Sequence, residues 1–241
     1  MDNTVVLQGV SKIYRQDALA VQALADIDLE IPRGDFVCLS GPSGSGKSTL
    51  LNLIGGLDTP TTGAITVAGK RVDQMDKGDL AELRLHNIGF VFQAYNLIPV
   101  LTARENIEFV MQLQGVPAAQ RAEKARQILM EVDLAGLEDR RPGALSGGQQ
   151  QRVAVARAIV SGPSLVLADE PTANLDSKTA QNLMEMLHRM NREHGVTFLF
   201  STHDQLVMDF SRRLIKLRDG RIVEDERQQG FDRDGSRAQR A

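Results

Sequence analysis

The sequence has no tryptophan, only two tyrosines and a single cysteine, Cys38. One cysteine cannot form an intrachain disulfide, and the apolar run around Cys38 predicts an inert buried thiol. The longest apolar runs, at residues 36–39 and 165–168, are far shorter than the ~20 residues that cross a bilayer. The N-terminus shows no basic stretch followed by an apolar run, the pattern of a secretory signal. We therefore expect a cytosolic chain that does not itself span a membrane.

The chain also lacks a strong excess of either charge. Lysine and arginine number 28 against 31 aspartates and glutamates, which gives a net charge of −3. Such a balance provides no positive field for phosphodiester chains, so nucleic acid is not an expected partner. With 241 residues, the chain can form one large α/β domain, or a core domain that carries a smaller inserted lobe.

The first 75 residues have the periodicity of short strands, interrupted by one helix at residues 46–57. The strands are predicted at residues 5–10, 25–31, 36–40 and 64–67. Residues 79–159 change to a mostly helical pattern, which indicates an inserted helical lobe. Its clearest amphipathic helices are predicted at residues 118–132 and 150–160.

From residue 165 onward, strands and helices alternate, which favours a largely parallel sheet with helices on its faces. The strands are predicted at residues 165–168 and 196–200, the helices at 177–194 and from Asp204, and a hairpin turn at 218–220. After Val223 the sequence is polar and dense in charge, and we expect this tail to be disordered.

A glycine-rich loop, GPSGSGKS at residues 41–48, joins the predicted strand at 36–40 to the first helix. Its glycines allow sharp bends and bring backbone amides close to a phosphate, while the helix N-terminus supplies positive potential. Lys47 can reach the β- and γ-phosphates, and the Ser48 hydroxyl can ligate magnesium. The loop therefore predicts binding of a nucleoside triphosphate with Mg²⁺ rather than an ordinary turn.

Two carboxylates, Asp169 and Glu170, follow the apolar run at residues 165–168. Ligands bind at this end of the strands in open α/β sheets. Asp169 suits outer-shell contact with magnesium, and Glu170 is the candidate base that orients water toward the γ-phosphate. Without the phosphate loop, the pair would be interpreted as a strand-to-loop junction.

A second anion-binding helix N-terminus is predicted at the pentapeptide LSGGQ, residues 145–149. Ser146 can cap the helix, and Gly147 and Gly148 open its amides to a ligand, although a plain capped loop is the alternative. One γ-phosphate does not need two such sites from one chain. Both fit if two copies face each other and each donates this second site to the other's nucleotide.

Together these residues resemble the nucleotide-binding subunit of ABC transporters. LSGGQ is that family's signature, it precedes LVLADE by the usual short interval, and the resemblance covers about residues 5–223. It implies an α/β fold: a P-loop NTPase (RecA-like) core with a mainly parallel sheet, an N-terminal antiparallel β-subdomain and an α-helical subdomain inserted at about 95–160. The nucleotide-binding domain would comprise residues 1–223, followed by the polar tail 224–241.

The resemblance also assigns roles that chemistry alone only permits. Gln93 would touch magnesium and the attacking water on a loop that faces the membrane partner, and His203 would contact the γ-phosphate. Asp176 would lie on the loop between the two nucleotide sites, where Asn174 departs from the common Ser-Ala-Leu-Asp pattern and leaves the contacts open. Tyr14 resembles the aromatic residue that stacks on adenine.

The expected site falls into three groups of residues. The catalytic group is Glu170, His203 and Gln93, and the Mg²⁺ group is Ser48, Gln93 and Asp169. The residues expected to bind ATP are Tyr14, Gly41, Pro42, Ser43, Gly44, Ser45, Gly46, Lys47, Ser48, Thr49, Ser146, Gly147, Gly148, Gln149 and Asp176.

The segments around GGLDTPTTG, FVFQAYNLIPVLTARENIEF and LADEPTANLD further resemble the ATPases of the lipoprotein-release and macrolide-export group. This likeness implies a homodimer that closes around two ATP molecules and drives a separate integral membrane permease, from a peripheral position on the inner face of the cell membrane. Two alternatives are an ABC ATPase without transport, as in DNA repair or translation, and a regulatory ATP-binding module. The first usually carries two such domains, a coiled coil or a zinc insert, none of which is visible. Intact Glu170 and His203 argue against the second.

Overall fold

The structure is a computed structural model that describes residues 2–16 and 19–228. The strands are β1 (Asn3–Gln16), β2 (Leu19–Pro32), β3 (Phe36–Ser40), β4 (Thr62–Val67), β5 (Lys70–Arg71), β6 (Ile88–Val91), β7 (Leu165–Asp169), β8 (Thr197–Ser201), β9 (Arg213–Arg218) and β10 (Arg221–Arg227). The helices are α1 (Lys47–Ile54), α2 (Lys77–Asn87), α3 (Ala103–Leu113), α4 (Ala118–Glu131), α5 (Gly147–Ile159), α6 (Ser177–His194) and α7 (Gln205–Phe210).

The strands form two sheets. An antiparallel sheet has the order β2-β1-β4-β5, and a six-stranded sheet has the order β10-β9-β3-β8-β7-β6. In the second sheet all neighbouring strands are parallel except β10, which pairs antiparallel with β9. The predicted α/β architecture, with an N-terminal antiparallel part and a mainly parallel core, is therefore confirmed.

The parallel sheet is buried on both faces, which explains its continuous apolar strands. Phe36 of β3 packs with Phe198 and Phe200 in a core that also contains α3 to α6, whereas Val37 and Leu39 face a second core with α1 and the antiparallel sheet. The two opposite faces of β3 therefore contribute to two different hydrophobic cores. Cys38 of the same strand is buried, and burial raises the pKa of its thiol to about 12, as expected for an inert cysteine.

Three helices, α3 to α5, occupy the interval between β6 and β7. Thr102 begins α3 with a capping box to Glu105, and Ser146 begins α5 in the same way with Gln149, so α5 starts earlier than the predicted residue 150. The helices share one core with the sheet. Their treatment as a separate subdomain stays a prediction.

The expectation of disorder directly after Val223 is wrong for the first residues of the tail. β10 continues to Arg227, because charged side chains pair across the hairpin: Arg213 with Asp225 at 2.6 Å, and Lys216 with Glu224. Strands were predicted from alternating apolar residues, whereas this part of β10 is stabilised by ion pairs to β9 and lacks that alternation. The remainder of the expected tail, residues 229–241, lies outside the described part of the chain.

Among the residues that the structure describes, no helix combines the length and the apolar character needed to cross a bilayer.

Candidate functional site

The phosphate loop connects β3 to α1, as predicted. Gly41 and Gly46 have φ angles of 149° and 104°, and a Cβ at either position would lie 2.2 Å from Leu217 O or 2.7 Å from Ala23 O. Only glycine fits such close approaches. Gly46 is also the N-cap of α1 and has no side chain to bond the first helical amides, which leaves these amides available to an anion.

Two side chains at the start of α1 face the loop and β7. Lys47 is 9% exposed and donates from Nζ to Gly41 O at 2.7 Å and to Pro42 O at 3.1 Å. An ammonium group has three donors, so one proton stays available for a phosphate. Ser48 Oγ lies 3.2 Å from Asp169 Oδ2, which brings together the hydroxyl and the carboxylate that were predicted to hold Mg²⁺.

Glu170 is held on several sides at the end of β7. Its backbone adopts a left-handed φ of 47° and its amide donates to Ser201 O at 2.8 Å. Thr202 Oγ1 donates to Oε2 at 2.8 Å, and His203 Nδ1 lies 2.8 Å from Oε1. The Glu170 side chain is only 19% exposed, whereas that of His203 is 76% exposed. Glu170 therefore lies deeper in the site, and His203 lies closer to solvent.

A cavity of about 660 Å³ collects the residues of the phosphate loop and the two carboxylates. Its walls include the expected residues Pro42 to Thr49, Gln93, Asp169, Glu170 and His203, together with Val21, Gln22, Ala23 and Ser201. The three β2 residues carry no sequence signal, because only the position of the antiparallel sheet brings them to the loop. The residues predicted to bind ATP that do not line this cavity are Tyr14, Gly41, Ser146, Gly147, Gly148, Gln149 and Asp176.

The LSGGQ residues and Asp176 lie together at the N-termini of two helices. The Ser146 hydroxyl accepts from the Gln149 amide at 3.3 Å, and Asp176 caps α6 by accepting from the amide and the hydroxyl of Thr179. A Cβ on Gly148 would lie 2.5 Å from Thr179 Cγ2, so the helix ends are in close contact. The structure thus places two predicted parts of the site next to each other and apart from the phosphate loop's own cavity.

Two side chains, Asn174 and Arg157, fix the loop that follows Gln93, and only Asn174 stands at a position that the sequence motifs mark. Asn174 Nδ2 donates to Gln93 O at 2.9 Å, which defines the contact that its departure from the family pattern had left open. Arg157 of α5 donates to Asn96 O at 2.6 Å and to Tyr95 O at 3.0 Å. Both of these carbonyls belong to residues with positive φ, 50° at Asn96 and 60° at Tyr95, and no local pattern identifies Arg157 as their partner.

Fold and site together define a P-loop nucleotide-binding protein with an antiparallel sheet and a helical insert. The family model for the ABC transporter family matches residues 24–173 of this chain. The chain therefore belongs to the ABC transporter family, and it is an ATP-binding, ATP-hydrolysing subunit of that family. The resemblance that its motifs indicated is confirmed.

Close relatives agree with this assignment. The chain is 44% identical to the uncharacterized ABC transporter ATP-binding protein MJ0796 of Methanocaldococcus jannaschii, over 95% of this chain and 99% of that protein. It is 48% identical to the lipoprotein-releasing system ATP-binding protein LolD of Anaeromyxobacter dehalogenans, over 92% and 93%. It is 46% identical to the macrolide export ATP-binding/permease protein MacB of Brucella melitensis, over 91% of this chain and 34% of that protein.

Solved structures show the same fold. The dimeric post-hydrolysis structure of the MJ0796 cassette, bound to ADP and Pi, superimposes with a TM-score of 0.86 at 42% identity, and the match covers 94% of this chain and all of that one. A second dimeric structure of that cassette gives the same score.

Proposed function

We propose that two copies of this chain close around two ATP molecules, on the cytoplasmic face of a membrane, and drive a separate permease. One observation carries the proposal. The phosphate loop, Asp169 and Glu170 line one cavity, whereas Ser146 and Asp176 lie at helix N-termini apart from it. A second copy would supply those helix N-termini to the first copy's nucleotide. The dimeric MJ0796 cassettes support this arrangement.

The loop binds the phosphates through its backbone amides and through Lys47. The donor set fits Mg²⁺, because Ser48 Oγ, the Asp169 carboxylate and the Gln93 side-chain amide provide the hard oxygen atoms that this ion prefers. When bound, the ion would neutralise charge on the β- and γ-phosphates.

Glu170 would orient the attacking water and accept its proton. Each carboxylate oxygen already has one partner, Thr202 or His203, and each can accept a second hydrogen bond. The two partners limit the rotation of the carboxylate, and the exposed His203 side chain would contact the γ-phosphate. These contacts match the base and positioning roles that a phosphoryl transfer to water requires.

An apolar groove beside the Gln93 loop is the proposed contact of the permease. It has a volume of about 550 Å³ and is lined by residues of α2, β6, α3 and α5, among them Phe90, together with Phe92. Leu57 and Leu113, which also line the groove, are 50% and 59% exposed. Phe92, which lines the groove, directly precedes Gln93, and Gln93 lies on the loop that is expected to face the membrane partner. LolD and MacB support a permease of the lipoprotein-release or macrolide-export type.

The substitution Glu170→Gln tests the catalytic assignment. It keeps the shape of the side chain but removes the base, so turnover should fall by about 10²–10⁴-fold while ATP binding persists. Glu185→Gln, an exposed change on α6, is the control and should retain full turnover. Full turnover in the Glu170→Gln chain would disprove the role of Glu170, and loss of ATP binding would show that Glu170 acts in binding instead.

A further inference from the structure

Ser201, the last residue of β8, carries a buried hydroxyl at the phosphate cavity. The residue is 0% exposed and is one of those that line the cavity. Its carbonyl oxygen accepts from the Glu170 amide at 2.8 Å, but Ser201 Oγ has no hydrogen-bond partner among residues 2–16 and 19–228. Most buried hydroxyls in proteins have a partner, because a buried hydroxyl without one costs free energy. Ser201 Oγ is therefore available to a molecule bound in the cavity.

The register of the parallel sheet sets Ser201 beside Asp169. The two residues are paired between β8 and β7. Side chains alternate between the two faces of a strand, so Ser201 shares a face of β8 with Leu199. Asp169 shares a face of β7 with Leu167 for the same reason, and both leucines belong to the core that contains α1. Ser201 and Asp169 are therefore neighbours on the face of the sheet where α1 lies.

The position beside Asp169 indicates what the Ser201 hydroxyl can bind. Asp169 Oδ2 lies 3.2 Å from Ser48 Oγ, the hydroxyl that is predicted to ligate Mg²⁺. Mg²⁺ usually keeps several of its water molecules in proteins, and Asp169 suits a contact to the ion through such a water. A water has two protons, so it can donate to the carboxylate and to a neighbouring hydroxyl oxygen as well.

A second hydroxyl at the cavity, that of Ser45, also has no partner among the described residues but lies in another part of the site. A Cβ on Gly41 would lie 2.8 Å from Ser45 Oγ and 2.2 Å from Leu217 O of β9. The Ser45 hydroxyl is thus near the point where the loop approaches β9. Because the sheet has the order β9-β3-β8-β7, that point and Asp169 lie on opposite sides of β3.

We propose that Ser201 is a further binding residue of the nucleotide site, whose hydroxyl holds a water of the Mg²⁺ hydration shell next to Asp169. This inference rests on the proposed ATP site and adds a contact for its ion. The alternative is that the hydroxyl is only a polar group in the core and contributes nothing to binding.

Titration calorimetry of the full chain with ADP, once with Mg²⁺ and once with EDTA, measures how much the ion adds to nucleotide affinity. Ser201→Ala removes the hydroxyl and little volume. It should reduce the gain from Mg²⁺ by about threefold to tenfold, the range for one lost hydrogen bond. The affinity in EDTA should stay within about twofold of the original, because no ion is then bound.

Ser211→Ala is the matched control. Ser211 is also fully buried, but its hydroxyl donates to Met208 O at 2.7 Å and the residue does not line the cavity. The change should leave both ADP affinities unaltered and lower the urea midpoint of the nucleotide-free chain. Ser201→Ala should leave that midpoint unchanged or raise it, because it removes no hydrogen bond within the described chain.

Three results would overturn the inference: an unchanged gain from Mg²⁺ in Ser201→Ala, equal losses with Mg²⁺ and with EDTA, or a urea midpoint that falls as far as in Ser211→Ala. Ser48→Ala tests the ion site independently, because it removes the predicted direct ligand and should abolish most of the gain. If Ser48→Ala kept the full gain, the Mg²⁺ site of the proposed function would be misassigned and the inference would fail with it.

Discussion

At the residue scale, Arg157 is the side chain that holds the loop after Gln93. Its guanidinium donates to two adjacent carbonyls of residues in left-handed conformations, Tyr95 and Asn96. Such conformations persist only where surrounding groups fix them. Asn174 holds the same loop through Gln93 O. The position of Gln93 therefore depends on residues far from it in sequence.

Replacement of Arg157 by methionine should lower the free energy of unfolding by about 2–4 kcal/mol, because two carbonyls lose bonds to a charged donor. Urea unfolding measures this change. Arg189→Met is the control: Arg189 also bonds a helix carbonyl, Glu131 O, but is exposed, and its loss should cost less than about 0.5 kcal/mol. Equal losses in the two variants would show that Arg157 does not hold a strained loop.

His188 should give the folded chain a measurable pH dependence. It lies edge-on to the Phe36 ring at 5.4 Å, and burial, followed by Arg212 and Arg192, lowers its pKa below the ordinary 6.5. The unfolded chain then binds this proton at a higher pH than the folded chain does. The contribution of His188 to stability is therefore complete above about pH 6.5 and declines as the pH falls from there toward the folded pKa.

The test compares urea midpoints at about pH 7.5 and about pH 5.5. His188→Leu should show a smaller decrease on acidification than the original chain. His86→Gln, which removes an exposed histidine, should keep the original decrease. A His188→Leu chain with an unchanged pH response would contradict the assignment.

At the element scale, the N-termini of α5 and α6 are packed together by Gly148 and Thr179. A Cβ on Gly148 would lie 2.5 Å from Thr179 Cγ2, which is too close for two carbon atoms, so one of the two helix ends would have to move. The same Thr179 hydroxyl donates to Asp176 Oδ2 at 2.6 Å, so the contact joins the LSGGQ helix to the Asp176 segment.

Gly148→Ala should therefore lower the free energy of unfolding by about 1–3 kcal/mol, the usual cost of overpacking. Adding Thr179→Ser removes the clashing methyl group, keeps the hydroxyl, and should recover most of the loss. Gly143→Ala is the control, since no atom lies within 4 Å of the added Cβ. Thermal or urea unfolding of the three chains gives the comparison, and a double variant no more stable than Gly148→Ala would contradict the contact.

The sequence predicted those helices, strands and loops that are determined by a few neighbouring residues. The strand, loop and helix at residues 36–57 and the Asp169-Glu170 strand end are of this kind, because glycine geometry and apolar runs act over a few residues. The contact between Asn174 and Gln93 spans 81 residues, and the β2 wall of the cavity depends on how two sheets pack. β10 was missed beyond Val223 because its pairing uses charges rather than alternating apolar residues.

At the scale of the whole molecule, the residues predicted to bind ATP lie in two separate places within one chain. The cavity that is proposed to bind the phosphates is lined by the loop residues Pro42 to Thr49, including Lys47, and by the two carboxylates, whereas the capped N-terminus of α5 lies apart from it. A site that needs residues from two copies makes nucleotide binding and association interdependent, because each favours the other by mass action. In the proposed function, this coupling lets ATP binding do work on a permease.

Mixing two defective chains tests this central claim most directly. Lys47→Ala removes the phosphate contact and Ser146→Arg blocks the second helix N-terminus, so a homodimer of either variant has a defect in both sites. A mixed dimer has both defects in one site and none in the other. We predict that each variant alone is inactive and that the mixture regains ATP hydrolysis. A mixture as inactive as its components would contradict the shared site, and so would a Ser146→Arg chain with full turnover.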